Sequence, residues 1–507
     1  MKFSRTFALA AAFAVGAALS APGWAQAPKK ASVLRYAVPL ANPGLDPARI
    51  GTLDGYMLTA MLFSNLVHIN PELKIEPQLA TSWETSPDGL SWTFHLSPNV
   101  KFHDGRALVA EDVAFSIKRI IDPKTASRGA ASFTMIKDVV AVDDKTVRFD
   151  LNAPYADLPF ALGGPFGRVI DKANLEQIST APNGTGPFVL KEYVPGSRAV
   201  FARNPNYFEA GLPLLDQVQQ IVMSEPASQI TALTRGEIQI LDNAPKDLLG
   251  LVSGNKDIKV LTTASPAFQP FVTFVKHRPF DDVRVRQALK LALDRDALLA
   301  AATAGYGVVG NDSPVVPGGV WANADLPQRK RDVAQARKLL AEAGFKDGLD
   351  LTLVTTSGRP GLEPAAVVAQ QNLKDAGFRV KIESTEMAAQ TAMLRAGGKP
   401  FTIANINWAG RGTIDESLTP FYGTNNIWNF SGYSNPRVDE LLLAGRSATD
   451  QKQRKAAYDE IQKILWEEGP EVVPYFVQNV SAVRAEVQDY VVHPLGYVDL
   501  RRVSLKN

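Results

Sequence analysis

Apolar and polar residues trade places along this chain with two periods, and each period predicts the element that carries it. The run 33–38, Val-Leu-Arg-Tyr-Ala-Val, is strand-like, and the apolar segment 57–66 reads as a helix. A Trp-rich stretch over 83–94 folds back on itself around Pro87-Asp88-Gly89 as a hairpin. A helical period follows near 111–120, and 139–151 alternates again as strands do. Further along, 268–275 reads as a strand. The helix after it is opened by Asp281 or Asp282 and presents Val285, Ala288, Leu289, Ala292 and Leu293 to a core, with Arg284 and Arg286 solvated or paired.

The second half reads as α/β. A strand over 349–354, a helix over 364–376 stopped at Gly377 and a strand over 378–382 form a βαβ unit with parallel strands. Then come a helix over 386–395, ended by Gly397-Gly398, and a strand over 401–407. The segments 332–343, 434–444 and 450–468 each begin at a capping residue and supply outer helices, and 472–477 is a strand that crosses back. No internal repeat or low-complexity tract interrupts the series. A chain of 507 residues exceeds one ordinary core, so at least two lobes are expected. Residues 76–185 differ in character from their flanks and read as a separate subdomain.

The first residues add a different signal. Lys2 and Arg5 precede an apolar run from Phe7 to Leu19 and small residues around Ala25 and Ala27, the layout of a cleaved signal peptide. Pro28 would follow a cut after Ala27, which favours the cut after Ala25 and a leader over 1–25. The run is shorter than the ~20 residues of a spanning helix, so a membrane anchor is the weaker reading. There is no cysteine, hence neither a disulfide nor a lipid-bearing anchor residue. An untethered exported protein is expected in the periplasm. Lys and Arg number 54 against 52 for Asp and Glu, and loss of Lys2 and Arg5 with the leader balances them. Such balance gives no footprint for nucleic acid or anionic lipid.

Catalytic and metal signatures are sparse. The five histidines, at 68, 95, 103, 277 and 493, are not at metal-ligand spacing, and there is no nucleophile elbow or phosphate-cradling loop. No cofactor is expected. A hydrolase would need a Ser/His/Asp set assembled in space.

In parallel sheets ligands bind beyond the carboxyl ends of strands, which directs attention to two loops. One is 355–360, Thr-Thr-Ser-Gly-Arg-Pro, and the other 408–413, Trp-Ala-Gly-Arg-Gly-Thr. Each offers glycine for close backbone approach and one arginine, Arg359 or Arg411, whose planar fork suits a carboxylate. Gly410 and Trp408 belong to the second loop. The competing role for Arg411 is a salt bridge, for instance to Asp415. Beyond it Phe421, Tyr422, Trp428, Phe430 and Tyr433 alternate with glycine and asparagine, which suggests Tyr422 and Trp428 as cleft walls.

One stretch narrows the class further. Gln78–Val113 contains Leu79-Ala80-Thr81-Ser82-Trp83-Glu84, the Pro-Asp-Gly turn, Trp92-Thr93-Phe94, Lys101-Phe102-His103-Asp104-Gly105 and Ala110-Glu111-Asp112-Val113 in order. This series resembles family 5 of the bacterial extracellular solute-binding proteins, receptors for peptide, nickel and related importers. Gly184-Thr185-Gly186-Pro187-Phe188 and Arg203-Asn204-Pro205-Asn206-Tyr207-Phe208 are similar to the family as well. The resemblance implies a two-lobed periplasmic-binding-protein fold of class II with an extra subdomain in lobe one. Lobe I would be 30–75, 186–268 and 478–507, the subdomain 76–185, and lobe II 269–477. A hinge of crossover strands near 266–273 and 472–477 would let the lobes close on a ligand.

The implied function is capture of a small solute, peptide or peptide-like, and delivery to an inner-membrane ABC permease with its ATPase subunits, by a monomer that performs no chemistry. In dipeptide-binding relatives an arginine in the context of Arg359-Pro360 pairs with the ligand carboxylate, and the second loop reads Trp-x-Gly-Asp, its aspartate anchoring the amine. Here Arg411 stands in that aspartate's place, so Asp415 or Glu416 would have to serve the amine. Two arginines on one cleft favour an anionic ligand. The alternatives are an opine-like conjugate, an acidic sugar derivative, or a nickel or haem chelate, the last requiring His277 or His493 in the cleft. A sensory role, presenting ligand to a membrane receptor, is a further rival.

Overall fold

The computed structural model describes Met1, residues 31–39 and residues 44–506; the leader expected over 1–25 lies, Met1 apart, outside them. Three sheets organise the compact unit Ser32–Asn507. The largest is eight-stranded, in the order Ile258–Phe268, Tyr475–Arg484, Ile240–Leu241, Val33–Val38, Gln217–Val222, Arg198–Arg203 and Phe188–Val194, with Gly307–Val309 also paired to Tyr475–Arg484. Val33–Val38 runs parallel to both of its neighbours. The second sheet has five strands, Phe378–Ser384, Leu349–Thr355, Thr402–Asn405, Phe271–Thr273 and Glu471–Val472. Its first three are parallel, joined through the helices Leu362–Asp375 and Met387–Arg395. Leu349–Thr355 and Phe378–Ser384 are parallel, as expected of the βαβ unit, with Leu349 opposite Phe378.

The third sheet is antiparallel, Ala80–Thr85, Ser91–Leu96, Thr146–Leu151 and Ile136–Asp143. Helix Ala110–Ile121 packs on it by burying Val113, Ala114, Ile117 and Ile120 beside Phe94, Val139 and Phe149. The loop after this sheet meets the region of the five-stranded sheet. There Arg454 Nη2 donates to Asp157 Oδ2 at 2.8 Å and the Ala156 amide to the Arg446 carbonyl at 3.1 Å.

Four local expectations are corrected. The helix expected over 57–66 is Leu53–Leu62, one turn earlier, because the Thr52 hydroxyl accepts from the Gly55 amide and caps it. The strand expected over 268–275 is broken: Ile258–Phe268 belongs to the first sheet and Phe271–Thr273 to the second, with Gln269-Pro270 between. The return is split likewise, Glu471–Val472 from Tyr475–Arg484, around Val473-Pro474. Proline has no amide to give a ladder, so each crossing ends one sheet and begins the other. Arg286 is neither solvated nor ion-paired. Helix Val283–Ala292 is opened by Asp282, and from it Arg286 donates to the Phe280 and Glu468 carbonyls while Lys290 Nζ donates to the Leu465 carbonyl at 2.7 Å. Both cations thereby satisfy carbonyls at the end of helix Gln451–Glu468.

The crossings are braced by a buried charge cluster. The Gly310 amide donates to the Pro474 carbonyl at 2.8 Å and the Asp312 amide to the Val473 carbonyl at 3.3 Å. Asp312 is 2% exposed, takes both of its carboxylate oxygens to Arg295 Nη2 at 2.8 and 2.7 Å, and lies 2.6 Å from Arg329 Nε. Arg329 in turn stacks on Trp466 with its Cζ 3.9 Å from the ring centre.

Candidate ligand-binding site

A cavity of about 1110 Å³ opens between the eight-stranded and five-stranded sheets. Loops that follow parallel strands form much of it. Asn243–Asp247 follows Ile240–Leu241 on one side, and Ala409–Gly412 follows Thr402–Asn405 on the other. Tyr56, Phe160 and Tyr497 close the first wall, while Ala301–Ala304 and Pro360–Gly361 extend the second. At the floor Gln269, in the crossing itself, donates from Nε2 to the Pro360 carbonyl at 3.0 Å and accepts from the Tyr475 hydroxyl at 2.8 Å.

Gly410 and Arg411, of the residues expected to bind ligand, line this cavity. A Cβ on Gly410 would stand 3.0 Å from the Ala267 amide nitrogen and 3.2 Å from Ser265 Oγ, so the position is glycine because two backbones pass closely there. Gly412 is tighter, since a Cβ on it would overlap the Phe160 ring. Arg411 has a buried Nε with no hydrogen-bond partner among the described residues, and its Cζ is 6.0 Å from the Phe421 ring centre.

Trp408 stands behind the cavity wall. It is 7% exposed, forms a bridge with Phe268 across the crossing, and packs against Phe421, Phe430 and Trp428 at centroid distances of 4.4, 5.5 and 6.1 Å. Tyr422 ends the helix Ile414–Tyr422, is 2% exposed, and donates its hydroxyl to Glu471 Oε2 at 2.6 Å. Burial pushes the Glu471 carboxyl up to about 7, against the hydroxyl that holds it down. Tyr422 and Trp428 therefore belong to an aromatic core, in place of the cleft walls suggested by their polar spacing. Asp415 accepts from the Thr419 hydroxyl at 2.6 Å and from Arg446 Nε at 3.1 Å, so its partner is Arg446 and not Arg411. Arg359 is exposed, next to Pro360 of the lining.

The charged groups on the lining are Lys246 and Asp247 from one side and Arg411 and Glu416 from the other. Burial raises the Glu416 carboxyl and the Arg411 guanidinium lowers it. Burial alone draws the Lys246 ammonium down to about 8, and no described residue offers it an ion-pair or hydrogen-bond partner. Tyr56 and Tyr497 are raised by burial. Lys246 was not singled out by the sequence pattern, yet the rule that found 408–413 applies equally to the loop after Ile240–Leu241. His277 and His493 do not line the cavity. His493 is buried with Nε2 against the Ile69 and Asn70 carbonyls at 3.3 and 3.1 Å, and burial draws its pKa down to about 4.

A mixed α/β chain crossing twice between sheets, with strand-end loops of both facing one cavity, is a two-lobed binding protein. Comparison with known proteins agrees. Residues 74–429 match the model of bacterial extracellular solute-binding proteins, family 5 (middle), and the chain belongs to that family. It is 32% identical to a probable di/tripeptide-binding protein 5 of Pseudomonas aeruginosa, over 94% of this chain and 97% of that one. It is 28% identical to the glutathione-binding protein GsiB of Pectobacterium atrosepticum, over 96% of each. The solved structure of HbpA2 from Haemophilus parasuis, 25% identical, covers 94% of this chain and 100% of that chain, with a TM-score of 0.87. These curated relatives are binding proteins, and among the described residues no helix is long and apolar enough to cross a membrane.

Proposed function

We propose that this protein is a periplasmic receptor that captures a small peptide or peptide-like solute carrying an anionic group and hands it to an ABC-type permease driven by separate ATPase subunits. The observation that carries the reading is Arg411, a cation with an unpartnered buried Nε on the wall of an interlobe cavity, beside Glu416. Arg411 takes the ligand carboxylate as a fork. Glu416 supplies the counter-charge for the ammonium, the duty that Asp415 cannot perform while it holds Arg446. The names of the relatives, di/tripeptide-binding and glutathione-binding, support a ligand of this size and charge.

A cavity of about 1110 Å³ lies above the ~300–1,000 Å³ usual for ligand pockets. Closure about the crossings at Gln269-Pro270 and Val473-Pro474 reduces it and brings Arg359 toward the ligand. Lobe I comprises 30–75, 186–268 and 478–507, with 76–185 as its extra subdomain, and lobe II is 269–477. The mature chain begins after Ala25 and acts as a monomer.

The test is a thermal-shift screen of mature protein, unfolded and refolded to strip bound solute, against di- and tripeptides, glutathione, opine-like conjugates, acidic sugars and nickel chelates. A ligand of the native state raises Tm by mass action. Peptides or glutathione should stabilise the wild type. Arg411→Ala should weaken the best of them by about 2–4 kcal/mol, roughly 30- to 900-fold. Stabilisation by nickel chelates or sugars alone would overturn the proposal.

A further inference from the structure

We infer that Lys246 forms a second anion subsite on the wall opposite Arg411, so that the solute is a short peptide with two carboxylates, one held by each lobe. The inference rests on the peptide reading above and deepens it. Lys246 lies in the loop beyond Ile240–Leu241, a strand parallel to Val33–Val38. Arg411 lies in the loop beyond Thr402–Asn405, a strand parallel to Leu349–Thr355. The two cations thus occupy equivalent stations, each beyond the carboxyl end of a parallel strand of its own sheet, and both line one cavity.

Neither is held in a salt bridge, although Arg411 lowers the Glu416 carboxyl and lies over the Phe421 ring. Among the described residues Lys246 has no ion-pair or hydrogen-bond partner, and Arg411 has no ion pair. By contrast, the buried Arg286 is satisfied by carbonyls and the buried Arg295 by Asp312. A lysine left desolvated and alone on a cavity wall is a cost that an anionic ligand removes. The other ionisable groups of the lining are Asp247, which is exposed, Glu416, which stands next to Arg411, and the phenols Tyr56 and Tyr497. The ligand ammonium then lies toward Glu416, and its two carboxylates span the cleft. Such a ligand gains from closure at both ends, whereas a peptide with only its terminal carboxylate engages one lobe. Glutathione, a tripeptide with two carboxylates and one ammonium, has this charge pattern.

The test is isothermal titration at pH 7 of refolded mature protein with Ala-Ala-Ala, Ala-Glu-Ala, Glu-Ala-Ala and glutathione. At least one dicarboxylate should bind tenfold or more tightly than Ala-Ala-Ala. In Lys246→Met that ratio should fall toward one, and in Lys246→Arg it should persist. Raising the pH to 9.5 should erase the ratio in the wild type, whose ammonium titrates near 8, and leave it in Lys246→Arg. The N-terminal amino group is common to Ala-Ala-Ala and Ala-Glu-Ala and cancels in their ratio, so the alkaline comparison uses that pair; glutathione, whose thiol also ionises there, is titrated at pH 7 only. Melting curves of both variants verify folding, and the arginine variant carries the test if the methionine variant does not fold. Equal affinity for neutral and dicarboxylate peptides would overturn the second subsite and leave the peptide reading intact. No binding by any of the four would overturn both.

Discussion

Replacing Asp312 by asparagine removes the negative charge from between two buried guanidinium groups while keeping the side chain's shape. Asp312 is 2% exposed and the Arg295 and Arg329 side chains are 3% and 7% exposed, so neither guanidinium gains water when the charge goes. The amide oxygen of asparagine can accept from one arginine, but its NH2 then faces the other, donor against donor. Breaking a buried pair in this way costs about 3–5 kcal/mol, mostly because the surviving charge stays buried. For a chain of this length, with an unfolding entropy of roughly 1 kcal/mol/K, that cost corresponds to a drop of about 3–5 °C in Tm. The assay is urea unfolding followed by tryptophan fluorescence, with Asp350→Asn as the control. Asp350 pairs with Arg379 in the open, where both are exposed, and its loss should leave the midpoint unmoved. A shift of Cm for Asp312→Asn at constant m gives the energy directly. If both variants unfold at the wild-type midpoint, the cluster braces nothing and the account of the crossings is wrong.

Three further outcomes follow from the same geometry. Lys290, fully buried, has its pKa drawn by burial from 10.5 down to about 7, so between these values the unfolded chain binds the extra proton and stability rises with pH at up to ~1.4 kcal/mol per unit. Urea midpoints of the wild type and Lys290→Met should therefore diverge as the pH is raised from 7 to 9, in favour of the wild type relative to its pH 7 value, and parallel curves would refute the assignment. Gly412→Ala drives a methyl into the Phe160 ring, an overpacking of about 1–3 kcal/mol that should appear as a lower urea midpoint at unchanged m, and an unmoved midpoint would refute the close packing. Glu416→Gln should weaken Ala-Ala-Ala and spare its N-acetylated form, which has no ammonium to lose, in titration calorimetry.

The order of strands and helices was legible because the periods are strong and the caps explicit. Asp282, Asp332 and Asp450 open the helices that follow them, and the parallel pairing of Leu349–Thr355 with Phe378–Ser384 follows from handedness alone. The apolar run 57–66 misled by one turn because apolarity marks burial whether the backbone is helical or extended, and the signal that settles it is the Thr52 hydroxyl. Glycine and asparagine between Tyr422 and Tyr433 looked like the marks of an open loop. They shape tight turns over the packed rings around Trp408, a distinction that depends on what lies across the chain in space. Asp415 and Glu416 are adjacent and alike in sequence. Which of them faces the cavity is decided by Arg446, whose contact lies 31 residues away.

The route of the chain between its sheets also bears on how the protein is made. In the eight-stranded sheet Tyr475–Arg484 lies next to the edge, between the edge strand Ile258–Phe268 and Ile240–Leu241. Until that strand has been synthesised, Ile258–Phe268 and Gly307–Val309 have no neighbour in that sheet, whereas every strand of the five-stranded sheet precedes it. The strands Val33–Val38, Phe188–Val194, Arg198–Arg203, Gln217–Val222 and Ile240–Leu241 can pair with one another earlier, so what waits for Tyr475–Arg484 is the edge formed by Ile258–Phe268 and Gly307–Val309. The last long strand of the chain thus closes an edge of the sheet that its first strand, Val33–Val38, helps to found.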